Sequence, residues 1–359
     1  MRLPWLEQRE ESVMQRLALL PLELPAALWA AGAVLHRGLY RRGWLRTRRL
    51  SCAVVSVGGL TAGGSGKTPL AAFVARALRE RGHRVVIASR GYGRHGSEPV
   101  VVVSDGRYLR STPALAGDEP FLLAAHTQDV PVLVGRDRGV AGLRAVAAFG
   151  AEVLVLDDGF QHHRLARDVE IVALDGGLGL GNGRVLPRGP LREPRRALRL
   201  ADAIIVIDGP LAAAEEALVQ RLAPRAFRIA ARRQPLGWRP LGGGQLSPAA
   251  SLAGLSVGLL AGIAGPASFR RSVESLGARV VAERFFGDHH AWRPRDVRDL
   301  DPGVATWLTT EKDAVKLVAA WVGGADVRVL EIELAVERRA ELVAWLEQRL
   351  RSAPGARHR

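Results

Sequence analysis

The chain has 359 residues, 48% hydrophobic and 24% charged, which suits two ordinary domains with a buried core and excludes a disordered chain. A single cysteine, Cys52, excludes an internal disulfide and points to a reducing cytoplasmic setting. The formal net charge of +15 suits an anionic membrane surface, an acidic substrate or nucleic acid; aromatic residues at 5% supply few base-stacking platforms, so nucleic acid ranks last.

The cations are lopsided in kind. Only Lys67, Lys312 and Lys316 among 51 Lys and Arg residues are lysine. A GC-rich genome explains the bulk of that bias, and it makes the three lysines stand out.

From the N-terminus, residues 17–35 are apolar but contain Pro21, Glu23 and Pro25, a poor membrane span, which needs about 20 apolar residues with few charges. No basic n-region with a small-residue cleavage site marks a secretory signal. An Arg-rich stretch with Tyr40 and Trp44 follows directly. Apolar helix, aromatics and basic flank together resemble an interfacial membrane anchor. The alternative is a core helix followed by a solvated basic turn. Residues 1–50 are therefore expected to form a membrane-associated helix with its basic flank.

From Ala53 the pattern becomes α/β. The apolar run Ala53–Val57 predicts a buried strand, followed by a Gly-rich loop and a helix from about Pro69 to Arg81. Further strands are predicted at 84–91, 99–106, 130–135, 151–159, 169–177 and 201–208, with helices opening at Gly117 and Arg136 between them. Strands alternating with helices imply a largely parallel, doubly wound sheet that binds ligands outside its carboxyl ends. Residues 51–225 form this first unit. Gly and Pro thicken over 226–254, which predicts a hinge or hairpin. A smaller α/β unit is expected over 255–351, then a disordered tail over 352–359. Neither an internal repeat nor a mark of an obligate protein partner is evident.

Five stretches carry chemistry. After Val57 comes "GGLTAGGSGKT", with Thr61 where the general phosphate-loop pattern has glycine. Gly63, Gly64 and Gly66 allow the backbone to approach a phosphate at a helix N-terminus, with Ser65 among them. Lys67 reaches phosphates as a compact ammonium on a flexible stem, and Thr68 can place its hydroxyl on Mg²⁺. An apolar strand ending in Asp157-Asp158 looks like a magnesium site near Thr68; taken alone, an Asp there often only caps a turn. Asp118 in "GDEP" either caps a helix or serves as a general base. In "FFGDHHAW", Asp288, His289 and His290 follow a strand; adjacent side chains on an extended segment point apart, which disfavours a shared zinc. A single His meeting Asp118 across a cleft is the better reading. "LPRGPLREP" presents Arg188, Arg192 and Glu193 in a Pro-rich loop, suited to phosphate or simply solvated.

Taken together and in order, "VGGLTAGGSGKTP", "SRGYGR", "GDEP", "DDGFQHHRLARDVEIVALD", "PRGPLREP", "FFGDHH" and "TTEKDAVKL" resemble the tetraacyldisaccharide 4′-kinase family, from about Leu17 to Leu350. That family's phosphate loop typically carries threonine at the position of Thr61. The resemblance implies two α/β/α units that close over the site. It implies a monotopic enzyme at the cytoplasmic face of the inner membrane that uses ATP and Mg²⁺. The substrate would be the 4′-hydroxyl of an anionic, tetraacylated glucosamine disaccharide 1-phosphate. It places the catalytic aspartate at Asp118, its dyad histidine at His289 and the magnesium aspartate at Asp158. Asp157, Glu119, Tyr92, Arg138, Arg192 and Glu193 fall on other active-site positions, with Arg136 two residues from Arg138. Lys312 and Asp313 echo the base-reading pairs of other phosphate-loop proteins by analogy alone; otherwise that segment is a helix start capped by Thr310. A membrane-associated ATPase with a regulatory or assembly role is the rival reading, and a phosphate-binding module without chemistry is another. Asp118 and the Asp-His-His segment favour a kinase, because a binder needs no base.

Overall fold

The computed structural model describes residues 11–263, 265–288 and 290–352. A short helix, α1 (Val13–Ala18), starts at Ser12, whose hydroxyl accepts the Gln15 N–H, and a helical turn leads into α2 (Glu23–Arg41). No helix among the described residues is long and apolar enough to cross a membrane. α2 buries one residue, Ala26, and leaves Leu24, Leu28 and Leu35 more than 60% exposed.

The first half of the chain contributes β1 (Ala53–Gly58), α3 (Lys67–Glu80), β2 (Val85–Ser89), β3 (Val101–Ser104), α4 (Pro113–Ala116), α5 (Asp118–His126), β4 (Val132–Val134), α6 (Arg138–Phe149), β5 (Val153–Asp157), β6 (Val169–Asp175), β7 (Ala203–Ile207) and α7 (Ala213–Leu222). α3 begins two residues before the expected Pro69, because Gly66 in the left-handed region turns the chain directly into it. The second half contributes β8 (Phe227–Pro240), β9 (Ser247–Pro248), β10 (Ser256–Ala261), α8 (Pro266–Ser275), β11 (Arg279–Phe285), α9 (Pro294–Val297), β12 (Thr306–Thr310), α10 (Glu311–Ala314), β13 (Val327–Val336) and α11 (Arg339–Arg351).

All thirteen strands belong to one sheet, ordered β11-β10-β12-β13-β8-β7-β6-β1-β5-β2-β4-β3, with β9 paired to β8. Pairing is parallel except at β3/β4, β8/β9 and β8/β13. Every residue of β1, β2 and β5 is buried, as a parallel strand covered on both faces requires. α3, α5 and α11 cover one face of the first half, through Leu70, Leu123 and Leu342 among others. α6 covers part of the other face, and α7 with Ala26 of α2 covers the rest.

The stretch expected to be a hinge or hairpin is occupied largely by β8. Its first residues, Phe227–Ala231, pair with β7, and Ala231–Pro240 pair with β13, so one strand stitches the two halves together. Pro235 and Gly237 read as breakers in the sequence. They flank a register shift against Glu331 and Ile332, where a bulge lets the ladder continue around a missing N–H. Beyond it, a Cβ on Gly237 would lie 2.4 Å from the Ser247 carbonyl oxygen, so glycine lets β9 fold back on β8. α11 ends the described chain by packing on the first half, where Arg339 pairs with Glu80 beside α3.

Candidate active site

The loop between β1 and α3 is anchored to a second loop. Thr61 is 1% exposed and forms an isolated antiparallel bridge with Leu191. The Ala62 N–H donates to the Pro190 carbonyl at 2.7 Å, and the Arg192 N–H donates to the Leu60 carbonyl at 2.7 Å. This zipper explains why threonine stands where the general pattern has glycine: Thr61 has no left-handed φ to accommodate and its backbone is already paired. Gly63 at φ 128° and Gly66 at φ 76° do need glycine. The buried Lys67 folds back so that its ammonium donates to the Gly63 carbonyl at 2.9 Å and the Ser65 hydroxyl at 3.3 Å. Burial lowers its pKa, against the pull of Asp158.

β5 delivers both aspartates to the sheet's carboxyl edge. Asp157, buried, accepts from the Thr68 hydroxyl at 3.2 Å and the Ser89 hydroxyl at 3.0 Å. Burial, reinforced by Asp158 and Glu119, pushes its carboxyl up to about 6. Asp158 sits just past the strand at φ 53° and is gripped by Arg192 Nη1 at 2.8 and 2.7 Å. Burial alone would raise its pKa, but Lys67 and Arg192 outweigh that and hold it below the usual value. The carboxylate bonded to Thr68 is thus Asp157, while Asp158 faces arginine. Arg138, 4% exposed at the start of α6, directs Nη2 toward the Asp158 carbonyl at 3.5 Å; Arg136 is exposed.

Asp118 opens α5 without capping it; Gly117 occupies the cap position and no side chain caps that end. Gly117 has φ 91°, and a Cβ there would lie 2.7 Å from the Tyr92 carbonyl oxygen, so glycine sets how Asp118 enters the cavity. Tyr92 itself is 80% exposed at the cavity's lip. Facing α5 is the segment read ambiguously as "TTEKDAVKL". Thr310 is its cap, accepting the Asp313 N–H at 3.2 Å. Asp313 is wholly buried and accepts from Trp292 Nε1, the Gly262 N–H and the Thr310 hydroxyl at 2.8–3.0 Å, which ties it into the fold around the turn. The lysines on either side of it turn outward: Lys316 Nζ lies 3.3 Å from Asp118 Oδ2, and Lys312 Nζ lies 3.7 Å from Glu119 Oε1 and 3.4 Å from Asp288.

His289 lies outside the described residues. Its neighbour His290 stacks on Phe286 at 4.3 Å and meets Asp296 at 2.9 Å, a packing role that leaves Asp288 nearer the cavity's ion pairs.

Lys67, Thr68, Asp118, Glu119, Asp157, Asp158 and Arg192 line one cavity of about 1780 Å³, which α2 bounds through Trp29 and His36; Thr61 and Arg138 sit behind its surface. Trp29 Nε1 donates to the Arg192 carbonyl at 2.8 Å, and Arg37 pairs with the buried Glu193 at 2.6 Å. His163 approaches the same carboxylate at 3.7 Å, and Gln161 reaches the Gly59 carbonyl at 3.1 Å. Arg188, itself buried, points the other way, toward Glu11 and Glu23. Thus Lys67, Thr68, Tyr92, Asp118, Glu119, Asp157, Asp158, Arg192 and Glu193 share the cavity's lining, while Thr61 and Arg138 do not reach it. Sequence reasoning did not place Trp29, Arg37, Gln161 or the two outward lysines; the rarity of lysine was the one available signal for the last pair.

The family model for tetraacyldisaccharide-1-P 4′-kinase matches residues 15–351. A tetraacyldisaccharide 4′-kinase of Syntrophus aciditrophicus (strain SB) is 40% identical over 332 residues, 88% of this chain and 89% of the relative. One of Anaeromyxobacter sp. (strain K) is 44% identical over 352 residues, 94% and 92% of the two chains. The crystal structure of the "apo" form of LpxK from Aquifex aeolicus in complex with ATP matches with a TM-score of 0.76 at 30% identity, covering 93% of this chain and 99% of that one. A match of this extent, with the family's motifs converging on one cavity, means that the chain belongs to the tetraacyldisaccharide-1-P 4′-kinase family.

Proposed function

We propose that this chain transfers the γ-phosphoryl group of ATP to the 4′-hydroxyl of a tetraacylated glucosamine disaccharide 1-phosphate, with Asp118 taking the hydroxyl proton. One observation carries the reading: the phosphate loop and Asp118 face each other across a single cavity whose remaining wall includes an apolar, outward-facing helix.

The loop suits nucleotide phosphates. A Cβ on Gly63 or Gly64 would meet open space, so backbone lies bare there. The Lys67 ammonium rests on a neutral carbonyl and a hydroxyl, weaker partners for a buried cation than a phosphate oxygen. Thr68, Asp157 and Asp158 are hard oxygen donors suited to Mg²⁺, which commonly takes one or two carboxylates and completes its shell with phosphate and water. When bound, ATP supplies the phosphoryl group and Mg²⁺ offsets its charge.

The chain's own residues then position and neutralise. Lys67 and Arg192 offset charge on the nucleotide side, and Arg138 adds a buried cation behind Asp158. Asp118 accepts the acceptor proton, and the family resemblance assigns His289 as its dyad partner. Tyr92, Glu119 and Glu193 shape the cavity around both substrates. The acyl chains call for a membrane surface. The exposed leucines of α2 and the arginines after it suit the cytoplasmic face of the inner membrane, occupied peripherally or monotopically.

Purified protein given Mg-ATP with and without the disaccharide 1-phosphate lipid tests the reading. Phosphate on the lipid, with little released to water, is expected. Phosphate appearing only in water would select a membrane-associated ATPase instead.

A further inference from the structure

Both lysines of the second half reach carboxylates of the first. Lys316 meets Asp118 and Lys312 meets Glu119, while His126 Nε2 meets Glu311 Oε1 at 2.8 Å farther along. α5 and the Glu311–Lys316 turn therefore touch along several residues, and the pair at the cavity end includes Asp118.

The two ammonium groups are held differently. Lys316 is 13% exposed and donates to the His290 carbonyl at 3.1 Å, with Asp313 Oδ1 at 3.9 Å. Asp313 is itself fixed by Trp292, Gly262 and Thr310. The second half thus sets the position of the Lys316 ammonium independently of its contact with Asp118. Lys312 is shared between Asp288 and a Glu119 side chain that is 52% exposed. Exposed pairs contribute little, whereas a pair with one partner locked in a buried network fixes the other's orientation.

We propose that Lys316 is a positioning residue for phosphoryl transfer: supplied by the second half of the sheet, it pins the Asp118 carboxylate in the orientation from which Asp118 takes the acceptor proton. The proposal rests on Asp118 being the base. The acceptor proton passes to Asp118, the acceptor oxygen forms the new bond to phosphorus, and the bond to the ADP oxygen breaks with its electron pair. Lys316 keeps its own proton throughout. A carboxylate on a short side chain swings about two torsions, and misplacement of a reacting group by about 1 Å can cost on the order of a hundredfold in rate. The contact also makes productive geometry at Asp118 conditional on the second half being in place.

The test uses the full chain in Lys316→Met, Lys316→Ala and Lys316→Arg forms. We expect Lys316→Met to lower kcat about 10- to 100-fold, while KM for both substrates and the calorimetric affinity for Mg-ATP shift less than about twofold. Lys316→Arg should retain more rate than Lys316→Met, and ethylammonium should partly restore Lys316→Ala. In an Asp118→Asn background, Lys316→Met should cost almost nothing further, because its effect runs through Asp118. Wild-type kcat in Lys316→Met, a loss carried by KM or by Mg-ATP affinity, or an additive loss in the double variant would each overturn the proposal. If Lys316→Met does not fold, the arginine variant and the amine-treated alanine variant decide by the same criteria. The underlying assignment fails separately, through an Asp118→Asn protein of near-native kcat; collapse of that variant beside an unaffected Lys316→Met sinks the lysine alone.

Discussion

The two walls of the cavity are held by different forces. The nucleotide wall is built of backbone and buried groups: the Thr61–Leu191 zipper, the folded-back Lys67, and Asp157 locked by two hydroxyls. The acceptor wall is built of ion pairs between α5 and a turn nearly two hundred residues later in sequence, several of them partly exposed. A wall fixed by local backbone can be read from a short motif. A wall assembled by distant side chains cannot, and it forms only when both halves are in place.

Gly117→Ala should separate the walls most sharply. The position has φ 91°, and the added methyl would crowd the Tyr92 carbonyl oxygen. The strain costs on the order of 1–3 kcal/mol. Displacing Asp118 by about 1 Å should lower kcat roughly a hundredfold. Calorimetric binding of Mg-ATP should survive, since the phosphate loop is untouched; equal loss of both would mean the walls are not independent.

Asp157 sharpens the other side. Its folded-state pKa of about 6 stands above the ordinary 3.8, so the folded chain holds this proton more tightly than the unfolded chain. Its stabilising contribution is full below about pH 4 and is lost as pH rises through about 6, roughly 3 kcal/mol in all. Denaturant melts across that range without nucleotide should show the decline, and Asp157→Asn should flatten it. Glu170, raised by burial to about 7, adds a decline of the same sign that the variant keeps. Stabilisation by Mg-ATP should grow as pH rises through about 6, because the ion needs the ionised carboxylate; a pH-independent increment would place the metal elsewhere.

How much of this was legible follows the same division. The apolar runs of β1, β5, β6 and β7 gave the first half of the sheet, and the glycines of the loop gave its turn. β8 was hidden because Pro235 and Gly237 mark breaks in most strands; here they accommodate a bulge and a close return. Thr61 departs from the general phosphate-loop pattern and fits the family's, but the physical reason, a pairing partner 130 residues away, is not local to the sequence. The lysines of "TTEKDAVKL" carried a compositional signal but no address, because nothing local says that Lys316 faces Asp118 while Asp313 turns inward.

The smallest effect on chemistry should come from α2. Replacing the exposed Leu28 and Leu35 with Glu should lower the fraction that sediments with anionic liposomes severalfold. Turnover of a detergent-dispersed substrate should change little. Unchanged sedimentation would place the membrane contact on another surface.

The most direct measurement is single-turnover phosphorylation of the disaccharide 1-phosphate lipid by the Asp118→Asn chain at saturating Mg-ATP. Loss of about a hundredfold or more in rate, with Mg-ATP affinity kept within about twofold, is the result expected of a base on the acceptor wall. A rate close to that of the unsubstituted protein would contradict the account.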